Sequence, residues 1–268
     1  MDIELSVIIV NYNGVSFFKK CFDSLKENLS GVSFEIIVVD NNSTDNSCDF
    51  LRINFPEVKL IASGENLGFG RGNNLGVENA QGKTILLLNN DTIIQNHLSP
   101  ALKTLYKNDE TGIVSINMLN ANKEYISAVG RFPSPFKLLK ISFLNDTRNE
   151  FKTGKFNLIQ YDVDWVSGAF MLIRKADYEA INGFDADYFM YVEDVDLCRK
   201  MKNIGKKCVF QANLSYIHFV GFNKSRENLL LKGYKIYASK HFSKTGCLIA
   251  KSMISVNRFV KGIKYKKK

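Results

Sequence analysis

A chain of 268 residues, 45% hydrophobic and 24% charged, has the composition of a globular protein with one large domain, or one domain and a short appendage. Its five cysteines (Cys21, Cys48, Cys198, Cys208 and Cys247) are scattered without a CxxC pair, which argues against a disulfide framework or a structural zinc site and points to a reducing compartment. The formal charge of +9 suggests a nucleic-acid partner, but eight Lys or Arg and no acid lie in residues 244–268, so removing those eight leaves the body near +1.

Residues 1–4 lead directly into a strand-like run, with no basic start followed by an apolar stretch, so neither secretion nor membrane spanning is expected. Runs at 5–10, 34–39, 58–61, 84–88 and 113–116 are rich in Val, Ile and Leu and of strand length. Helical patterns fill the gaps at 17–28, 47–53, 71–80 and 98–107. This alternation predicts an α/β fold whose mostly parallel sheet is covered on both faces, with ligands bound beyond the carboxyl ends of its strands. Residues 117–162, with Pro133 and Pro135, lack periodicity and read as an irregular acceptor-side segment. Regular structure resumes at Trp165, and a helix is expected near 195–203.

Polar clusters follow the strands. Asn11-Tyr12-Asn13-Gly14 follows the first, and Asp40 to Ser47 (DNNSTDNS) the second; these side chains suit ribose and base donors, or equally a helix cap. Residues 65–77 read ENLGFGRGNNLGV. Gly68, Gly70 and Gly72 permit close backbone approach and Asn66, Asn73 and Asn74 offer amides, yet the GxGxG spacing after the third strand is not the dinucleotide fingerprint. Asn89-Asn90-Asp91 puts a carboxylate at a strand exit, where it can hold a divalent cation and through it a diphosphate, though a lone Asp there is more often a turn residue. Glu193, Asp194 and Asp196 crowd three acids behind the aromatic run 188–191; crowding raises carboxyl pKa values and can poise a general base, while a helix N-terminus alone also favours acids. His218 ends an apolar run and is kept as a metal candidate. His97 and His241 have no supporting context and read as surface or cap residues.

Taken in order, Ser6–Gly14 (SVIIVNYNG), 39–45 (VDNNSTD), 66–74 (NLGFGRGNN), 88–91 (LNND), 165–171 (WVSGAFM) and 183–197 (GFDADYFMYVEDVDL) resemble the family 2 glycosyltransferases, most of all the bacterial rhamnosyltransferase-like branch. The resemblance covers roughly residues 5–225 and implies a GT-A fold, Rossmann-like, and an inverting hexosyltransferase using a divalent metal, Mn²⁺ or Mg²⁺. It further implies a nucleobase contact at Asp40, with Asn11 and Asn66 lining the nucleoside pocket and Gly68, Asn73, Asn74 and Asn90 counted on the donor side. Asp91 matches the last acid of the metal motif, whose first acid is Asn89 here. Asp194 matches the base, Trp165, Gly168 and Glu193 lie toward the acceptor, and His218 matches a histidine near metal and diphosphate. The serine that usually follows that histidine is displaced to Ser225 and is not assigned.

The implied donor is a dTDP- or UDP-linked sugar, rhamnose by branch, and the acceptor a glycan or lipid-linked hydroxyl in cell-surface polysaccharide synthesis. The expected organisation is a glycosyltransferase domain over 1–243 (nucleotide half about 1–116, acceptor half about 117–243) and a basic amphipathic tail, 244–268. In that tail Ile249, Met253, Val256, Val260 and Ile263 form one helical stripe, suited to an anionic membrane surface or to packing on the domain. The expected place is the cytoplasm, peripheral on the inner membrane face, without nucleic acid. Two alternatives are a nucleotide-sugar nucleotidyltransferase, disfavoured because residues 11–16 hold no basic phosphate loop, and a non-catalytic nucleotide- or nucleic-acid-binding protein, disfavoured by the near-neutral body.

Overall fold

The computed structural model describes residues 2–219 and 227–266, with side chains through residue 258. Ser225, Lys267, Lys268 and the side chains of Val260 and Ile263 fall outside this description. The first half alternates as the hydrophobic pattern predicts: β1 (Leu5–Asn11), α1 (Phe18–Asn28), β2 (Phe34–Asp40), α2 (Ser47–Asn54), β3 (Lys59–Ala62), α3 (Gly68–Glu78), β4 (Thr84–Asn89), β5 (Thr92–Ile94), α4 (Ser99–Leu105) and β6 (Thr111–Leu119). The irregular stretch holds only short elements: β7 (Val129–Gly130), two 3-10 turns (Phe136–Leu139 and Ile141–Leu144), α5 (Asn149–Thr153), β8 (Gln160–Val163) and β9 (Trp165–Val166). Then come β10 (Phe170–Arg174), α6 (Lys175–Ala180), α7 (Glu193–Asn203), β11 (Lys207–His218), α8 (Glu227–His241) and α9 (Lys244–Lys266).

The main sheet runs β3-β2-β1-β4-β10-β6-β11-β5, with β8 also on β11. From β3 to β4 every pair is parallel, as continuous apolar strands require when helices cover both faces. Leu5, Val7 and Ile9 enter one core beneath α1 and α2, while Ile8 enters the other, beneath α3. In α1, Phe18, Cys21, Phe22 and Leu25 are buried at i, i+3, i+4 and i+7; burial of each large apolar side chain stabilises by about 1.5–3 kcal/mol. β10 lies antiparallel between β4 and β6. β11 is long and irregular, its register shifting between Gln211 and Ser215. That shift lets its first part pair with β8 and its end with β5, setting His218 opposite Thr92.

Gly68 opens α3, and Gly70, Gly72 and Gly76 lie within it. A Cβ on Gly76 would stand 2.3 Å from Ile8, and one on Gly72 3.0 Å from Val10, so these glycines let α3 sit close on the sheet. Ala250, Ile254 and Asn257 are buried on α9, and of the aliphatic stripe Met253 packs against the core while Val256 is exposed. Asn257 donates to the Leu139 carbonyl at 2.7 Å, fixing α9 on the first 3-10 turn.

Candidate active site

The parallel strands end together, because the register sets Asn11 beside Asp40 and Val10 beside Asn89. Asn11 Nδ2 donates to Asp40 Oδ1 (2.8 Å) and to Ser43 Oγ (3.1 Å), and Asn90 Nδ2 donates to Asn11 Oδ1 (2.7 Å). Ser43 donates its hydroxyl to Asp40 Oδ1 (2.6 Å) and its N–H to Oδ2 (2.9 Å). Asp40 is therefore buried and paired, yet each carboxylate oxygen has two lone pairs and Oδ2 carries one bond here. Asn66 Oδ1 accepts from Gly68 N (3.0 Å). Gly68 has φ +78 and its Cβ position is filled by the Phe189 carbonyl, so this turn demands glycine and touches the aromatic run.

Asn73 and Asn74 both make bonds within the protein. Asn73 is buried and donates to the Phe69 carbonyl of its own helix (2.9 Å). Asn74 donates to the Phe184 carbonyl (2.9 Å) and accepts from Tyr178 OH (2.6 Å) and Phe184 N–H (2.9 Å). Its amide is consumed in tying α3 to the segment before α7.

Asn89, Asp91 and His218 converge although His218 is far along the chain. His218 Nε2 lies 3.1 Å from Asp91 Oδ1 and 3.2 Å from the Asn89 amide. With that amide turned to present its oxygen, a carboxylate, an amide oxygen and an imidazole nitrogen aim at one spot. Hard oxygens with an imidazole suit Mn²⁺ or Mg²⁺. Among the described residues no three His, Cys, Asp or Glu gather as a ligand set.

The opposite wall begins at a strained turn. Tyr191 (φ +71) and Val192 (φ +74) are both left-handed, an outlying conformation for a β-branched residue that costs about 1–3 kcal/mol each. It aims Glu193 and Asp194 from the first turn of α7. Asp194 accepts from Gly168 N–H (Oδ2, 3.0 Å) and Val195 N–H (Oδ1, 2.8 Å). Burial nevertheless pushes its carboxyl above the ordinary value, against those bonds. Glu193 is pushed well above its own by burial, then by the Asp194 and Asp196 charges, and its Oε2 is buried without a hydrogen-bond partner. The two walls meet at one short segment: Asn89 N–H donates to the Ala169 carbonyl (3.1 Å), next to the Gly168 N–H that holds Asp194. Trp165 donates its indole N–H to the Arg131 carbonyl (3.1 Å), fixing a half-buried ring on β9.

His241 is not a surface residue. It stands on α8 with Nε2 2.7 Å from Oδ1 of the buried Asp196, which also accepts from Tyr188 OH (3.3 Å). Sequence spacing held no trace of this pair, since helices α7 and α8 are separated by β11. His97 is the surface cap expected of it, accepting from Ser99 N–H at the start of α4 (3.2 Å).

Residues 6–181 match the family model described as glycosyl transferase family 2. The chain belongs to that family. It is a glycosyltransferase with a GT-A fold. It is 29% identical over 229 residues to the rhamnosyltransferase WbbL of Escherichia coli K12, covering 80% of this chain and 82% of that protein. It is 22% identical to the N-acetylglucosaminyl-diphospho-decaprenol L-rhamnosyltransferase of Mycobacterium tuberculosis, over 72% of this chain and 68% of that one. A mannosyltransferase from Pyrobaculum calidifontis, solved with GDP-Man and Mn²⁺, superposes with a TM-score of 0.64 at 16% identity, over 96% of this chain and 71% of that chain. The nucleotidyltransferase and non-catalytic alternatives give way to this family.

Proposed function

We propose that this glycosyltransferase inverts the anomeric centre as it moves a hexose from a nucleoside diphosphate to a hydroxyl of a glycan or lipid-linked acceptor in cell-surface polysaccharide synthesis. Rhamnose is the sugar favoured by the two rhamnosyltransferase relatives, carried on dTDP by the resemblance of the sequence, with UDP-linked sugars second. The enzyme acts in the cytoplasm, peripheral on the inner membrane face. The observation that carries this is the meeting of the Asn89–Asp91–His218 cluster with Asp194 at residues 168 and 169.

Asp194, raised in pKa, removes the acceptor hydroxyl proton. The freed oxygen forms a bond to the anomeric carbon from the face opposite the diphosphate, whose bond breaks with its electron pair. Asn89, Asp91 and His218 would hold the divalent cation, which supplies positive charge to the leaving diphosphate. Asn11, Asp40, Asn66, Gly68 and Asn90 form the nucleoside side, and Trp165, Gly168 and Glu193 the acceptor side.

A positioned base is worth about 10²–10⁴-fold. Asp194→Asn should lose about that much turnover while donor affinity, measured by calorimetry, stays near wild type. Near-normal turnover by the variant would show that another group is the base.

A further inference from the structure

We propose that α9, the two 3-10 turns and the outer side of α8 form a docking face for an anionic phospholipid bilayer. Large apolar side chains stand in solvent on two separate segments: Phe136 (68% exposed) and Phe143 (50%) on the turns, Leu248 (69%) and Val256 (43%) on α9. The Asn257–Leu139 hydrogen bond and the buried Ala250 and Ile254 hold these segments together. Neither 133–145 nor 243–258 contains an acid, while Lys137, Lys140, Lys244, Lys251 and Arg258 are interspersed with the apolar groups. Lys140 Nζ stands over the Phe143 ring, 5.7 Å from its centroid, so cation and aromatic share one exposed patch.

Between α9 and α8 an open groove of about 630 Å³ is lined by Leu231, Lys232, Lys235, Ile254, Ser255 and Arg258. Lys240, on the same helix, is tied to Asp185 (2.7 Å) and Asp187 (2.6 Å). Lys232, Lys235 and Arg258 have no carboxylate partner among the described residues. The groove therefore offers an apolar floor and three uncompensated cations, which match a phosphate headgroup and the start of its acyl chains.

A nucleic acid would use the cations and leave the phenylalanines in water. A bilayer takes both: the apolar groups enter the acyl boundary and the cations meet headgroup phosphates. No described helix is long and apolar enough to cross a membrane, so α9 lies along the surface. Lys232 borders both this groove and the 187–191 segment beside Asp194, so docking sets the acceptor side of the site against the membrane. That last step rests on the lipid-linked acceptor proposed above; the docking face itself does not.

Co-sedimentation of the full chain with neutral phosphatidylcholine vesicles, and with vesicles made about one-third phosphatidylglycerol, tests the face. Wild type should pellet with the anionic vesicles. Each headgroup cation is worth about fivefold in partitioning, so Lys232→Gln/Lys235→Gln/Arg258→Gln should bind about 100-fold more weakly. Phe136→Ser/Phe143→Ser should lose about tenfold or more. Both variants should keep wild-type melting temperature and turnover on a water-soluble acceptor analogue. Failure of the full chain to pellet, or wild-type partitioning by both variants, would overturn the proposal. So would binding that depends only on residues 259–268, seen as loss on truncation with none in the variants. Asp194→Asn should pellet as wild type does, which separates this outcome from the assignment of the base.

Discussion

Glu193 carries a carboxyl that the fold keeps from water and leaves half unpaired, beside two more acids. A folded pKa raised above its ordinary 4.5 means the group's stabilising contribution is complete below that value and is lost as pH rises through the raised folded value. Glu193→Gln, neutral at every pH, should therefore melt at or above the wild-type temperature at neutral pH, the difference vanishing toward pH 4. A lower neutral-pH melting temperature would show that the ionised carboxylate is stabilising. Asp194 is raised for the same principal cause, so the acid limb of kcat/KM should lie above the usual carboxylate range, activity falling as the base is protonated. An acid limb within the ordinary range would contradict that environment. The crowding of these acids was visible in the sequence. Their burial was not, because it depends on α8 packing over the turn.

At the scale of elements, α8 acts as a clamp on the turn that aims the base. A Cβ on its Gly233 would meet the Tyr191 carbonyl at 2.5 Å, Lys240 holds Asp185 and Asp187, and His241 holds Asp196. Leaving a buried hydrogen-bonding group without its partner costs about 1–3 kcal/mol, and here the loss would fall beside the left-handed Tyr191–Val192 turn. His241→Ala should lower kcat about tenfold or more with little change in donor KM, and His241→Gln, which keeps a side-chain N–H, should recover much of the loss. If both variants are equally impaired in melting temperature but normal in kcat, the histidine only supports the fold. Helix α7 itself was legible from its pattern, and α3 from its periodicity. What the spacing of its glycines did not show is their use: Gly72 and Gly76 stand over Val10 and Ile8, while Gly68 and Gly70 stand against Phe189 and Phe184.

For the whole molecule, the nucleoside side and the cation cluster sit at strand ends brought together by the parallel register, so ligand and metal should stabilise the fold jointly. A ligand at about a hundredfold its Kd adds about 2.7 kcal/mol. A nucleoside diphosphate with Mn²⁺ should therefore raise the melting temperature by a few degrees, and chelation or Asp91→Ala should remove the metal-dependent part; an increment indifferent to both would place the cation elsewhere. The alternation of strands and helices, the donor-side polar clusters and the family itself were determined by sequence, since periodicity and short motifs are properties of neighbouring residues. The resemblance put Asp91 and His218 near one metal, and the tertiary structure supplies the means, a shift in β11 that returns its end to β5 and sets His218 Nε2 3.1 Å from Asp91. Tertiary structure alone decided that His241 pairs with Asp196, that Asn74 ties α3 to the segment before α7, and that α9 buries Ala250 and Ile254. Each of these depends on which distant surfaces touch, and local spacing carries no record of that.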